Sequence, residues 1–250
     1  MTWRRGSNPM GNCRLCEKEA PLIKAHVIPE AFVELPGGEG PAKIMSNSAG
    51  FFPKKTLTGI YDAEILCEAC DGELGKLDQR AVEKICRASD VVDLKANGQT
   101  VARRYPSADG ELVGRFIASV LWRASITSHY FFGRVDLGPY DGIIRDILLN
   151  KLQQNERVQM LLAEFDKADV SILNPHSTRT DGVRFWVIYA NRFIFYTKTD
   201  RQKTPADLSK FILGKEREVT SIVRSWEGSK EYPLLAKIAA ANPNAFGRAA

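Results

Sequence analysis

The stretch "CRLCEKEAPLIKAHVIPEAF" (residues 13–32) and its counterpart "ILCEACDGELGKLD" (residues 65–78) decide how this chain is read. Each holds a Cys-x-x-Cys knuckle, Cys13/Cys16 and Cys67/Cys70, and between them lies one His-Val-Ile-Pro beginning at His26. A knuckle folds a tight turn that aims two thiolates at one ion, so two knuckles complete a tetrahedral four-thiolate zinc site. Such a site has no open position for substrate, and its zinc is structural. The length of the intervening segment strengthens the case, because closing a long loop without a ligand costs conformational entropy. The histidine is the open question. Alone at the end of an apolar run, a histidine is more often a packed structural side chain than a reactive one.

Composition narrows the setting. With 250 residues the chain is long enough for one large domain or two small ones. No apolar run approaches the roughly 20 residues that span a bilayer, so no membrane association is expected. Arg4 and Arg5 near the start have no apolar stretch behind them, so no secretory signal is expected and the chain is placed in the cytoplasm. In that compartment the paired cysteines point to metal rather than disulfides, and Cys86, alone in a helical stretch, reads as a core residue. A net charge of +5 permits a polyanionic partner without requiring one.

The pattern along the chain predicts an α+β protein. Leu22 to Ile28 reads as a strand stopped by Pro29, and residues 36–59, rich in Gly, Pro and Ser, read as a long loop. Leu74, Leu77, Ala81, Val82 and Ile85 recur at helical spacing, which starts a helix at or just after Cys70. Residues 94–110, "LKANGQTVARRYPSADG", lack periodicity and read as a linker. That places a zinc-stapled module at 1–100 and a mixed helix and antiparallel-strand domain at 108–250. In the second part, residues 111–132, 140–154, 157–168 and 204–226 read as helical, with Thr204 or Asp207 able to cap the last. Residues 169–175, 183–190 and 192–199 read as strands, the last two forming a hairpin about Ala190-Asn191.

A Cys-x-x-Cys, a strand ending in His-Val-Ile-Pro, a loop, and a Leu-Cys-x-x-Cys running into a helix together resemble the HNH endonucleases of the ββα-metal class. Cys13, Cys16, His26, Pro29, Leu66, Cys67, Cys70 and Asp71 carry the resemblance, which covers only the N-terminal part of the chain. It implies hydrolysis of phosphodiester bonds in DNA, with His26 as the general base that activates water. It also implies that Asp62, at the middle motif position, orients His26 by accepting the other ring N–H. Asp71, directly after the last cysteine, becomes an oxygen ligand of a catalytic Mg²⁺ or Mn²⁺, separate from the structural zinc. The family often has an acidic residue just before the first histidine, where this chain has Ala25. Glu73 or Asp78 would then have to supply the missing ligand, and Asp78 lies close to two helical turns from Asp71.

Each of these residues has a plainer reading. Asp71 suits a helix N-terminus by the macrodipole, and Asp62 suits a turn. Lys24, Lys54, Lys55 and Arg80 are candidate phosphate contacts, or simply solvated charges. Trp122, Trp186, Tyr189, Phe193, Phe195 and Tyr196 read as core rather than as base-stacking platforms, and Arg103-Arg104-Tyr105 as a solvated basic patch. Two rivals to an active nuclease stand beside it. One is a zinc-stabilised nucleic-acid- or protein-binding module without catalysis, and the other a defence or toxin effector gated by a regulatory protein partner. A homodimer is also open.

Overall fold

In the computed structural model, residues 8–32, 42–45, 53–56, 59–133, 135–167, 172–214 and 217–241 are described. Strand β1 (Met10–Asn12) leads into the first knuckle, which turns at Glu17, a residue with φ of 61°. Strand β2 (Glu19–Ile28) leaves it, with Leu22, Ala25, Val27 and Ile28 buried and Lys24 exposed. Two short strands follow, β3 (Ala42–Met45) and β4 (Lys54–Thr56), inside the stretch read as loop. The rest of that stretch, and the Lys55 side chain, lie outside the described residues. Strand β5 (Ile60–Cys67) pairs antiparallel with β2, and β1, β2 and β5 form a three-stranded sheet. Helix α1 (Glu68–Ile85) starts immediately, capped by the extended backbone of Cys67. It begins slightly ahead of the apolar periodicity, so Cys67 and Cys70 flank its first turn. Its buried stripe of Leu74, Leu77, Asp78, Ala81, Val82 and Ile85 recurs at helical spacing, as an amphipathic helix requires.

The stretch read as a linker is a β-hairpin. Strands β6 (Val92–Ala96) and β7 (Gln99–Asp109) pair across Asn97-Gly98, both at positive φ. Asn-Gly is the preferred two-residue hairpin turn, because both central residues need that conformation. Asp109 then caps helix α2 (Gly110–Ile126), accepting from the amides of Glu111 and Leu112. Almost every side chain from Leu112 to Ala124 is buried, so α2 is a core helix rather than a surface one. Helix α3 (Asp141–Leu148) follows, shorter than its apolar pattern suggests.

Two further readings are corrected. Residues 157–168, expected to be helical, hold strand β8 (Val158–Phe165), buried on both faces. A continuous apolar run buried on both sides carries no period that separates strand from helix. Residues 204–226 hold only a one-turn helix, α4 (Ala206–Ser209), with Pro205 rather than Thr204 or Asp207 at its N-cap. Strand β12 (Glu218–Arg224) comes next, favoured by Val219, Thr220, Ile222 and Val223. Strands β10 (Val183–Ala190) and β11 (Phe193–Thr199) run where expected, with their turn on Asn191-Arg192, whereas β9 (Ile172–Thr180) runs five residues beyond the strand expected at 169–175, of which 169–171 lie outside the described residues. Helix α5 (Glu231–Ala241) ends the described chain.

The second sheet has nine strands in the order β4-β3-β9-β10-β11-β8-β12-β7-β6. Pairing is antiparallel except β3 with β9 and β8 with β12. The fold is thus α+β, and the first hundred residues supply β3, β4, β6 and the start of β7 to this sheet. One apolar cluster runs from Leu22 and Val27 through Phe116 and Leu121 to Phe193 and Phe195. Within it Phe32 stacks on Phe116 at 5.7 Å and meets Phe195 edge-on at 5.5 Å. The aromatic residues read as core are core, with Trp122, Trp186, Tyr189, Phe193 and Phe195 all buried. Arg103 and Tyr105 are no surface patch. Both bond the fully buried Glu164, at 2.8 Å each.

A fragment beginning at Ala108 would lack β3, β4, β6 and nearly all of β7, leaving β12 without one partner and α2 without β2. We expect it to show no cooperative thermal transition by circular dichroism. A sharp transition close to that of the full chain would show that the shared core is not needed.

Candidate functional site

The knuckles converge. The sulfur atoms of Cys13, Cys16, Cys67 and Cys70 all lie within 4.8 Å of one another, and Cys16 and Cys67 are 4.0 Å apart. Tetrahedral zinc with Zn–S bonds of about 2.3 Å needs sulfurs separated by roughly 3.8 Å, so the cluster can hold a metal such as zinc. Backbone bonds set this spacing. The Cys13 amide donates to Lys18 O at 3.0 Å, the Glu17 amide to Cys13 O at 2.8 Å, and the Arg14 amide to Ile65 O at 2.9 Å. The last of these fastens the first knuckle to β5, the strand that ends in the second.

The thiols themselves favour a cation. Burial would raise Cys13, but the amides of Cys16, Cys67 and Leu15 outweigh it and bring that thiol down to about 7. Burial and the neighbouring thiols push Cys70 and Cys67 up instead. One thiolate is favoured and its neighbours resist a second negative charge, a conflict that a divalent ion removes. Cys86 lies apart from the cluster at the end of α1, and burial pushes its thiol up to about 12. It is a partly buried packing residue.

Beside the thiols lies a second group of polar side chains. His26 on β2 sits opposite Tyr61 on β5, their rings 6.3 Å apart and edge-on. Lys24, two residues earlier on β2, holds its ammonium 3.3 Å from the Tyr61 ring centroid. Asp71 in the first turn of α1 is half-buried, and burial pushes its carboxyl above its ordinary value against the opposing charges of Arg123 and His26. Asp78, two turns on, feels Arg123, Asp71 and His26 as well. β2, α1 and α2 therefore bring His26, Asp71, Asp78 and Arg123 into one electrostatic neighbourhood. Gly72 and Gly75 flank Asp71 on α1, and a Cβ at either would meet nothing within 4 Å. Among the described residues, none packs on the helix surface at these two glycines next to Asp71.

The structure assigns the other expected site residues differently. Asp62 opposes Ala25 on the paired strand and is buried. It accepts from Thr127 Oγ1 at 2.6 Å, from the Ser128 amide at 3.1 Å and from the Glu64 amide at 2.8 Å. Burial would raise it, yet these bonds hold its carboxyl below the ordinary value. Asp62 thus secures the end of α2 to β5, and the orienting role expected of it is not what these bonds serve. Glu73 is exposed and paired with Lys76 at 2.7 Å. Both Asp78 oxygens are held by Arg123 at 2.8 Å. Neither carboxylate is placed to replace a ligand at Ala25. Lys54 is exposed and donates to Tyr130 Oη at 2.8 Å. Sequence reasoning missed Arg123, which lies far along the chain in an ordinary-looking apolar helix, and it missed His129, lying near Asp62 and stacked on Tyr130 at 4.5 Å.

Cys67→Ser should lower bound zinc from one ion per chain to near none and reduce stability, since binding free energy at such a site is folding free energy. Elemental analysis and a thermal melt of both proteins check this, and X-ray absorption should give Zn–S distances of about 2.3 Å. A well-folded wild type with no zinc would contradict it.

Comparison of the chain with protein-family models, curated proteins and solved structures finds no match, so a functional reading rests on this geometry.

Proposed function

We propose that the chain is a metal-dependent, HNH-like endonuclease that hydrolyses phosphodiester bonds, with DNA as the foremost substrate. The observation that carries this is that His26 on β2 lies close enough to Asp71 in the first turn of α1 for its charge to favour the Asp71 carboxylate, beside the four-thiolate cluster but sharing no residue with it. A strand histidine facing a helix carboxylate, both anchored by zinc knuckles, is the arrangement that the HNH resemblance implies.

The donor set suits a cation held mainly by its substrate. Among the described residues the cysteines form the only cluster of three or more candidate metal ligands. With Asp62, Glu73 and Asp78 engaged elsewhere, Asp71, half-buried, is the candidate carboxylate left near His26. Magnesium sites of this kind use one or two carboxylates together with substrate phosphates and water. Mg²⁺ or Mn²⁺, when bound, neutralises charge on the scissile phosphate and at the leaving oxygen. His26 takes the proton from the attacking water. Lys24 and Arg80, both exposed, are available to flanking phosphates. The bare helix surface at Gly72 and Gly75 lets a polymer backbone approach Asp71 closely. A glycine inside a helix costs roughly 0.5–1 kcal/mol relative to alanine, and no packing contact among the described residues requires either one.

Ala25 favours a second reading, a zinc-stabilised binding module without catalysis, because the position before His26 offers no ligand. A partner-gated effector is the first reading under external control.

His26→Ala should lower Mn²⁺-dependent cleavage of a plasmid by 10² to 10⁴-fold, the usual cost of losing a general base. Zinc content should be unchanged, and DNA affinity in a filter-binding assay nearly so, since affinity rests on the cationic side chains. Wild-type protein that binds DNA but cuts neither DNA nor RNA with any divalent ion would favour the binding module. Gly75→Ala should raise the thermal midpoint while weakening substrate use, seen as a higher KM. Unchanged KM would remove the role given to the bare helix face.

A further inference from the structure

Arg123 is 1% exposed, in the last turn of the core helix α2. Its guanidinium makes contacts on three elements. Nη1 and Nη2 each reach an Asp78 oxygen on α1 at 2.8 Å, Nη1 also donates to the His26 carbonyl on β2 at 2.8 Å, and Nε reaches Ser119 O on α2 at 3.4 Å. An arginine fork is planar and rigid, so these bonds fix distances and angles together in a way that a lysine ammonium cannot. The bond to the His26 carbonyl decides what the group can do. It fixes the backbone of the one residue whose side chain has to meet a water, and the Asp78 bonds fix that backbone against the helix that carries Asp71.

We propose that Arg123 is a positioning residue for the His26–Asp71 centre, with Asp78 as its counterion rather than a ligand of the catalytic cation. This rests on the nuclease reading of that site and adds to it a requirement from α2. The centre is then not complete within the knuckle segment. Its register depends on a helix that lies well beyond the stretch carrying the motif. A single buried fork holds strand and helix in the relative placement that puts a base and a carboxylate around one phosphate, and loss of such placement can cost on the order of 10²-fold in rate.

Arg123→Ala would leave a buried carboxylate without its partner and could unfold the chain. Two other changes avoid this. Asp78→Asn keeps an acceptor for Arg123 and leaves its bond to His26 intact. Asp78→Asn combined with Arg123→Gln removes both charges together. We expect Asp78→Asn to keep kcat within about threefold, a small loss beside the placement effect, and to leave the Mn²⁺ concentration for half-maximal rate unchanged. Asp71→Asn should raise that concentration at least about tenfold, as loss of a direct ligand would. The double variant should lose about 10²-fold in kcat with KM little altered, and Arg123→Lys should not restore it. A readout independent of activity accompanies these. The chain has three histidines, and in proton–carbon spectra the double variant should move the ring signals of His26 and leave those of His129 and His176 in place.

Metal dependence shifted by Asp78→Asn as by Asp71→Asn would make Asp78 a ligand and overturn the proposal. So would a double variant with wild-type kcat and an unmoved His26 signal, or one in which all three histidines shift together. If the wild type cuts nothing, the nuclease reading fails on its own, and the spectra still decide whether Arg123 positions His26.

Discussion

Four thiols held within 4.8 Å of one another can lose their protons together only with a cation among them, because burial and the neighbouring sulfurs oppose a second thiolate. The N-terminal architecture depends on resolving that conflict. The knuckles stand at the same end of the β2–β5 pair, one leading into β2 and the other closing β5 and capping α1. Holding them together sets the register of Leu22 against Cys67, and with it the placement of His26 against Tyr61. The same clasp fixes where α1 begins and therefore where Asp71 points. A metal ion held by the four cysteines would supply locally the constraint that a larger core would otherwise supply.

The rest of the chain reaches into this module through buried or half-buried charges. Arg145 on α3 donates to Leu15 O in the first knuckle at 3.0 Å and pairs with Glu17 beside it. Thr127 and Ser128 after α2 bond Asp62 on β5, and Arg123 on α2 bonds Asp78 and the backbone of His26. Such pairs add little net stability over an apolar substitute, but their geometry is specific and breaking one partner is costly. Apolar packing alone would let α2 slide or rotate against β2 at small cost. The charged contacts remove that freedom, and each lies within a short reach of the thiols or of His26.

This division explains what could be read from sequence. The knuckles, β2, β10, β11 and the existence of α1, α2 and α3 were legible because each depends on local spacing or alternation. β8 was not, because a strand buried on both faces has no alternation to show. The β6–β7 hairpin was legible in principle through Asn97-Gly98. Its outward-facing residues concealed it, since Val92, Leu94 and Val101 are all exposed and give no clean apolar face. At the site, His26 and Asp71 followed from the motif. The fates of Asp62 and Asp78 did not, since each is fixed by a partner far along the chain, and Arg123 in sequence is one more cation in an apolar helix.

The same contacts also sort four acidic residues that sequence alone leaves equivalent. A carboxylate serves a catalytic cation only if its oxygens face the opening and are not already satisfied. Asp62 accepts four hydrogen bonds, from Glu64, Thr127 and both the amide and hydroxyl of Ser128, and is held below its ordinary protonation range, a sign of a carboxylate committed to structure. Asp78 is committed to a bidentate fork in the core. Glu73 is exposed and faces Lys76. Asp71 alone of the four combines partial burial with proximity to His26, and burial makes its negative charge costly until a cation approaches. A site with one such carboxylate gains most of its cation affinity when a phosphate brings further oxygens. Under the proposed nuclease reading, bound ion and bound substrate would then become one event, with a histidine fixed through its own backbone already in place.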